Sequence, residues 1–419
     1  MMKDKDRKSE KREATKTDDC IFSTENVNMG RQPEIDYYKT VLIIIMVIDH
    51  IYENYSRDSL AFWIESIGFL YGASGFMILM GIGMRYSRHQ ELSYFISRGI
   101  LLLTKAQIVN LLRYALPNII AWRTTGNKLF ISRALVFFQP DILTFASFSF
   151  FFFIILKKNK LSDTNILILG IIMNNVGFLL FKIINPPNSF LLKQMLGFFI
   201  LTYTETYFPF FSYFMFVAFG YWIGGIYQKI SNKDKFYNLI LVFFTPIVII
   251  YYYLRINYSF LSLPDINSDE VYCLMPGPDG IAECMNTLIF FGIYYKINKI
   301  FGGKTPYLVK DTSINLNKYY MIHYILELQL TTFLRATKGD AFPSKTKYPT
   351  LLGLMFFVIT RIIIDINDRY MHITITNLKK STKIILFPLI WITSIISLIY
   401  IYPKVETYTT FFNNYLYGV

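Results

Sequence analysis

Charged residues are scarce in this sequence, and their scarcity excludes an ordinary soluble protein. Asp, Glu, Lys and Arg make up 17% of the 419 residues, whereas a soluble domain carries about 25%. Hydrophobic residues account for 53%, with 39 Phe and 32 Tyr. The sequence therefore predicts an all-α polytopic integral membrane helix bundle with about 10 to 11 transmembrane helices.

Cysteine is rare as well, which excludes a disulfide scaffold and a paired-cysteine metal site. The three cysteines are Cys20, Cys273 and Cys284. Cys273 and Cys284 form one bridge if their loop is external, and two unpaired thiols are the equal alternative. We predict no metal site and no tightly bound cofactor.

The net charge of +13 does not indicate nucleic-acid binding, because the sequence contains no basic recognition helix and no zinc spacing. In a membrane protein, Lys and Arg hold loops on the cytoplasmic side. Residues 1–35 are polar, lack the pattern of a signal peptide and are expected to form a flexible cytoplasmic tail. Residues 36–402 form the predicted membrane domain, and 403–419 a short C-terminal tail.

Hydrophobic runs of about 20 residues, the length that crosses a bilayer, mark the predicted spans. The segment 189–204 is apolar but short, and we interpret it as a helix on the outer surface. The predicted spans are 37–56, 62–84, 95–116, 133–156, 163–184, 207–228, 236–254, 281–298, 314–334, 349–368 and 382–402.

Loop charge predicts the orientation. Loops such as 228–235 and 296–310 each contain at least three Lys or Arg, whereas 255–280 carries one Arg and four acidic residues. The asymmetry favours a multi-pass protein of the cell membrane with its N-terminus in the cytoplasm. An odd number of spans then puts the C-terminus outside.

The first predicted span contains ionisable residues at a regular spacing. Lys39 lies at its inner end, and His50 follows eleven residues later in the outer half, roughly 16 Å away along a helix. Glu53 and Asn54 lie on the side of His50, so either can orient its imidazole. Asp49 is adjacent in sequence but points about 100° away. Ionisable groups inside a membrane are functional candidates by default.

Other charged side chains in the early spans divide by depth. The inner side is basic, which suits an anion with several phosphates, and the outer side has groups suited to acid–base chemistry. Arg113 and Asp141 have an alternative interpretation as an ion pair between two helices. His323, near the inner end of the ninth span, either binds the donor together with the basic residues or is a structural histidine in the core. The inner group is Lys39, Arg85, Arg88, Arg98 and Lys105; the outer group is His50, Glu53, Glu65 and Asp141.

Several of these motifs resemble the transmembrane acyltransferases, namely acyltransferase family 3 and relatives of the heparan-alpha-glucosaminide N-acetyltransferase type. RQPEIDYYKTVLIIIMVIDHIYEN resembles their opening, in which an Asp and a basic residue precede a His; here these are Asp36, Lys39 and His50. LYGASGFMILMGIGMRYSR resembles their glycine-rich second span, and YYMIHYI a later one.

The resemblance implies that an acyl group, most simply acetyl, passes from cytoplasmic acyl-CoA to a hydroxyl or amine of an extracytoplasmic acceptor. Such acceptors are commonly cell-surface glycans or glycolipids, as in O-acetylation, and a protein acceptor stays open. His50 acts as general base or is itself acylated. The predicted catalytic residues are His50, Glu53, Asp49 and Asp141, and the predicted donor-binding residues are Lys39, Arg85, Arg88, Arg98, Lys105 and His323.

Two other classes of function compete with this interpretation. A transporter or flippase for an anionic lipid or lipid-linked sugar also needs a basic inner mouth and a polar outer vestibule. Transporters often contain inverted repeats, and this sequence shows no convincing repeat. A structural or assembly protein leaves the spacing of Lys39 and His50 unexplained.

Overall fold

Helices account for nearly all regular structure in the computed structural model, which describes residues 20–138, 140–184, 196–200, 208–258, 275–340 and 342–371. In this part of the chain no strand occurs apart from one isolated bridge between Phe22 and Ile230. In chain order the helices are α1 (Pro33–Asn54), α2 (Ala61–Tyr86), α3 (Leu92–Thr125), α4 (Leu129–Ala134), α5 (Ile142–Lys158), α6 (Asp163–Ile183), α7 (Phe210–Gln228), α8 (Lys233–Asn257), α9 (Gly277–Ile300), α10 (Tyr307–Ile314), α11 (Leu316–Lys338) and α12 (Pro349–Ile366).

The long helices confirm the predicted all-α polytopic bundle. Apart from α4 and α10, every helix listed above has a counterpart among the first ten predicted spans. Five of them, α3, α6, α7, α8 and the helix that includes α12, are long and apolar enough by themselves to cross a membrane. The eleventh predicted span at 382–402, the tail 403–419 and most of the predicted surface helix 189–204 lie outside the described residues.

Contacts between helix ends define one face of the bundle, which we call the Pro33 face after the first residue of α1. Tyr86, at the end of α2, donates its hydroxyl to the carbonyl of Asn28 at 3.1 Å. Lys233, at the start of α8, forms an ion pair with Glu34 at 2.8 Å. The preceding segment also belongs to this face, because the amide of Ser23 donates to the carbonyl of Lys229 at 2.8 Å.

The opposite face, called the Asn54 face, contains the other ends of the same helices. Arg335, near the end of α11, donates to the side chain of Asn54 at 3.4 Å. Thr350, at the start of α12, donates its amide to Asp58 at 3.2 Å. Consecutive long helices thus run in alternate directions, as expected for a chain that crosses a membrane repeatedly.

Glycine permits the closest helix crossing in the core. A side chain at Gly220 of α7 would place its Cβ 2.8 Å from the carbonyl carbon of Ile78 in α2. A side chain at Gly81 would likewise place its Cβ 2.6 Å from the amide nitrogen of Tyr221. The backbones of α2 and α7 are therefore in direct contact, which is the role that small residues have in membrane helices.

Two predicted boundaries near Asp141 are wrong. The third span does not end near residue 116, because α3 continues to Thr125 through a π-helical turn at Leu111–Ala115. The fourth begins at Ile142 rather than at 133, because Asp141 is the N-cap of α5 and accepts the amide of Thr144 at 2.9 Å. A proline precedes this cap at position 140, and proline has no amide hydrogen to continue a helix from the segment before it.

The predicted outer loop 255–280 is shorter than its sequence indicated. Arg255 lies inside α8 and pairs with Asp279 of α9 at 3.1 Å, and both side chains are buried. Cys284, one turn further along α9, is a buried free thiol. Of the two open alternatives for Cys284, the unpaired thiol is therefore the one present; Cys273 lies outside the described residues.

Candidate active site

Two histidines from distant parts of the chain meet inside the bundle. His50 lies in the last turns of α1, and His323 lies in α11. His50 Nδ1 and His323 Nε2 are 3.1 Å apart, which is a hydrogen bond, and their rings are nearly parallel with centroids 5.3 Å apart. His50 is partly accessible, whereas His323 is 1% exposed.

The position of His323 differs from the sequence prediction. The sequence predicts His323 near the inner end of its span, among the donor-binding residues, whereas in the structure it contacts His50. The physical reason is α10, a short helix that packs beside the first turns of α1, where Ser313 donates to Asp36 at 2.6 Å. Because α11 begins only after α10, its first turns lie deeper in the bundle than span counting implied.

A second connection of His323 leads to the backbone. Its Nδ1 lies 2.6 Å from the carbonyl oxygen of Tyr319, one turn earlier in α11. The same helix contributes Tyr324, whose ring stacks on His50 with centroids 4.4 Å apart and planes 22° apart. The imidazole of His50 is therefore held by a hydrogen bond at its edge and by an aromatic ring against its face.

A buried arginine lies beyond Tyr324. The guanidinium carbon of Arg113 is 4.0 Å from the ring centroid of Tyr324 and 4.4 Å from that of Tyr114. Arg113 is 3% exposed, and its Nε and Nη1 atoms have no hydrogen-bond partner among the described residues. The π-helical turn at Leu111–Ala115 has Arg113 at its centre, and such turns are frequent at functional sites.

The expected ion pair between Arg113 and Asp141 is replaced by this aromatic packing. Asp141 interacts with Arg113 electrostatically, but its Oδ1 caps α5 by accepting the amide and the hydroxyl of Thr144. In the described residues no ion pair is formed between the two. Asp141 therefore lies at the start of a helix near the site, and not inside the fourth span as predicted.

The two side chains predicted to orient His50, those of Glu53 and Asn54, form no hydrogen bond with it in the described residues. Glu53 is exposed on α1 and interacts electrostatically with Asp49, Glu327 and Arg113. Asn54 accepts a hydrogen bond from Arg335 at 3.4 Å. The hydrogen-bond partner of His50 is instead His323 of α11.

Glu327 is a carboxylate that the predicted site omitted. It is 1% exposed, lies one turn after His323, and accepts the hydroxyl of Thr331 at 2.9 Å. Its other oxygen has no hydrogen-bond partner in the described part of the chain. The signal available in the sequence was its position on the helical face of His323.

The five basic residues predicted to bind the donor lie in α1, α2 and α3 and in the loop after α2. Lys39, Arg98 and Lys105 are partly buried and form no ion pair with any described residue. Arg85 pairs with Asp163 at 3.1 Å and lies over the ring of Tyr221. Arg88 is exposed in the loop that follows α2. Three of the five predicted basic groups therefore form no ion pair in the described part of the chain, and one of them, Lys39, interacts electrostatically with Asp36.

Arg98 and Lys105 are seven residues apart on α3 and interact electrostatically. Two like charges on the same side of one helix in a membrane bundle favour an anion between them. Among the described residues no group of three or more His, Cys, Asp and Glu is arranged to hold a metal ion.

Comparison with known proteins identifies a family. The profile described as heparan-alpha-glucosaminide N-acetyltransferase, catalytic, matches residues 31–251, just over half of the chain. No curated protein and no solved structure matches. The match includes α1, with Lys39 and His50, and extends into α8. The resemblance to acyltransferase family 3 stays a prediction. This chain, a membrane helix bundle with a histidine pair inside it, belongs to the heparan-alpha-glucosaminide N-acetyltransferase catalytic family.

Proposed function

We propose that this protein is a membrane acetyltransferase that takes acetyl from acetyl-CoA at the Pro33 face, on the cytoplasmic side. It transfers the acetyl group to an amine or hydroxyl of a glycan that enters from the Asn54 face. The observation that carries the proposal is the hydrogen-bonded pair of His50 and His323 inside the bundle of a chain that belongs to this family.

The proposed binding of acetyl-CoA at the Pro33 face rests on basic side chains that form no ion pair in the described residues. CoA carries several phosphate charges, and the best counterions for phosphate are Lys and Arg groups that lack other partners. Arg98 and Lys105 meet this requirement among the described residues, and Lys39 forms no ion pair there, although it interacts electrostatically with Asp36. Lys39 precedes His50 by eleven residues of one helix, roughly 16 Å. An extended pantetheine arm spans a distance of this order, so phosphates near Lys39 allow the thioester to reach His50.

The chemistry follows from one unprotonated imidazole nitrogen. When the acceptor nitrogen or oxygen attacks the thioester carbonyl, His50 takes the proton of the acceptor, the new bond to carbon forms, and the carbon–sulfur bond breaks. The same proton then passes to the sulfur, so that CoA leaves as the thiol. In the two-step alternative, the imidazole nitrogen attacks the thioester carbonyl, the carbon–sulfur bond breaks and CoA leaves as the thiolate. The acceptor then attacks acetyl-imidazole, the carbon–nitrogen bond breaks, and the proton of the acceptor passes to the thiolate. Both routes need the same nitrogen and the same thiol product.

The proposed function is tested with purified protein in proteoliposomes. Acetyl-CoA labelled in its acetyl group is added to one side, and a glycan with a terminal amino sugar is added to the other. We expect label on the glycan and free CoA thiol in equal amounts. Movement of an unmodified anionic lipid or lipid-linked sugar without any acetyl donor, with no label transferred, would support the transporter instead.

A first prediction concerns the two faces. A short epitope inserted after Gly303, in the loop of the Pro33 face, is expected to be inside, and one inserted after Gly126, on the Asn54 face, outside. Both positions are exposed glycines with positive φ, so an insertion there disturbs little packing. The measurement is antibody binding to intact and to permeabilised cells. If both epitopes were exposed on the same side of the membrane, consecutive helices would not run in alternate directions. If the epitope at Gly126 were inside and the one at Gly303 outside, acetyl-CoA could not bind at the Pro33 face from the cytoplasm.

A second prediction concerns donor binding. Replacing Lys39, Arg98 or Lys105 with glutamine removes one charge-assisted contact with phosphate, about 1.5 kcal/mol or more, so we expect KM for acetyl-CoA to rise about tenfold. The turnover number is expected to change less, because binding and chemistry are separated along the helix. Lys158→Gln is the matched control, since Lys158 is exposed at the Pro33 end of α5. Equal KM values for all four variants would show that these charges only orient the chain in the membrane.

A further inference from the structure

We propose that His323 is a positioning residue that fixes which nitrogen of His50 reacts, leaving Nε2 unprotonated and free. The proposal rests on the function proposed above and assigns a role to a residue of the same site. It follows from the hydrogen bonds of the two rings and from their different accessibility.

The backbone sets the direction of the hydrogen bonds. A carbonyl oxygen only accepts, so the short contact of 2.6 Å between His323 Nδ1 and the carbonyl of Tyr319 requires a hydrogen on Nδ1. In the neutral ring, His323 Nε2 then carries the lone pair. That nitrogen is 3.1 Å from His50 Nδ1. His50 Nδ1 must therefore donate, and the remaining nitrogen of His50, Nε2, has no hydrogen.

This series of hydrogen bonds selects one tautomer of His50. A neutral imidazole carries its hydrogen on one of two nitrogens, and the hydrogen bond made by one nitrogen decides the state of the other. Here the fixed carbonyl of a helix determines the state of His323, and His323 in turn determines the state of His50. The carbonyl oxygen of Tyr319 thus determines, through His323, which nitrogen of His50 reacts.

Accessibility separates the roles of the two rings. His50 is partly accessible, so a substrate can reach it, whereas His323 is 1% exposed and packed between its own helix and α1. His323 is therefore unsuited to contact the acetyl group or the acceptor. Stacking of Tyr324 on His50 at 4.4 Å also opposes rotation of the imidazole, which would otherwise exchange its two nitrogens.

The surroundings favour neutral rings on both sides of the hydrogen bond. The guanidinium of Arg113 interacts electrostatically with both histidines, so it would repel a positive charge on either ring. The nearby carboxylates, Glu53 and Glu327, form no hydrogen bond with either imidazole in the described residues. The relay from Tyr319 to His50 therefore operates without a net charge.

The test uses the small number of histidines, of which the chain has four. Labelling histidine with ¹⁵N gives signals from only four imidazole rings, with two nitrogens in each, and the His50 pair is assigned by its loss in His50→Ala. We expect wild-type His50 to carry its hydrogen on Nδ1 and to have a lone pair on Nε2. This tautomer is the less stable one for free histidine, so an unconstrained ring would show the opposite pattern.

Two substitutions at His323 distinguish positioning from packing. His323→Gln keeps an amide oxygen that accepts from His50 Nδ1, whereas His323→Leu fills a similar volume and accepts nothing. We expect His323→Gln to retain the wild-type tautomer of His50, and His323→Leu to move the hydrogen to Nε2. In the acetyl-transfer assay, His323→Leu should lower kcat about a hundredfold and leave KM for acetyl-CoA unchanged, with substantial recovery in His323→Gln.

The tautomer of His50 and the acetyl-transfer activity test the role of His323 and the proposed function separately. A wild-type His50 with its hydrogen on Nε2, or a tautomer that is unaffected by His323→Leu, would overturn the proposal whether or not the protein transfers acetyl groups. Wild-type kcat in folded His323→Leu would overturn it as well. Absence of acetyl transfer from the wild-type protein, with the expected tautomer present, would instead contradict the proposed function and leave the hydrogen-bond relay standing.

Discussion

Replacing His50 with alanine is expected to lower the turnover of acetyl transfer about a thousandfold, because general base and nucleophilic groups typically contribute factors of this size. No other described side chain places an imidazole where substrates can approach it inside the bundle. The KM for acetyl-CoA should change little, since the basic groups that hold the donor remain. The measurement is kcat and KM for acetyl-CoA with purified protein in proteoliposomes.

The control for this substitution is His89→Ala. His89 is exposed in the loop after α2 and packs only against Tyr94 and near Glu91 among the described residues. Its loss should leave both constants unchanged. A thermal unfolding scan of each variant separates lost chemistry from lost folding. Near-normal turnover in folded His50→Ala would remove His50 from the mechanism and with it the role proposed for His323.

Substituting alanine at Gly220 is expected to produce the largest loss of stability. The added methyl carbon would lie 2.8 Å from the carbonyl carbon of Ile78, and backbone atoms cannot move aside as a flexible side chain does. Helices α2 and α7 must then separate along a crossing that supports the core. Overpacking typically costs about 1–3 kcal/mol and more when the backbone has to shift, so we expect at least about 3 kcal/mol.

The same helix pair offers a matched control. Gly83 lies two residues after Gly81 in α2, and a Cβ built there meets no atom within 4 Å. Gly83→Ala should therefore be neutral, or stabilise the protein by up to about 1 kcal/mol through helix propensity. Unfolding temperature in detergent and the fraction of monodisperse protein measure both effects. Equal stability of Gly220→Ala and Gly83→Ala would show that α2 and α7 are not in backbone contact.

The sequence predicted those features that depend on neighbouring residues. Runs of apolar residues indicated ten of the helices. The positions of Lys39 and His50 in the first predicted span indicated that both lie on one helix, eleven residues apart. These patterns are local, because hydrophobic length and helical periodicity are read within a single segment.

Features that depend on contacts between distant segments could not be predicted from the sequence. The pairing of His50 with His323 joins residues 273 positions apart, and α10 displaced His323 from its expected depth. The burial of Arg113 against Tyr324 is a contact of the same kind. Asp141 was misplaced for a local reason, since its role as a cap beside a proline competed with its interpretation as an intramembrane charge.

The separation of the two histidines has a consequence for biosynthesis. Every predicted donor-binding residue apart from His323 lies in the first 105 residues, so a growing chain acquires these charges early. The 273 residues between His50 and His323 then take roughly 14 to 55 s to synthesise at ordinary translation speeds. During that interval His50 has neither the hydrogen bond of His323 nor the covering ring of Tyr324. We therefore expect activity to begin only when α11 docks against α1, and fragments that end before α11 to be inactive in the membrane.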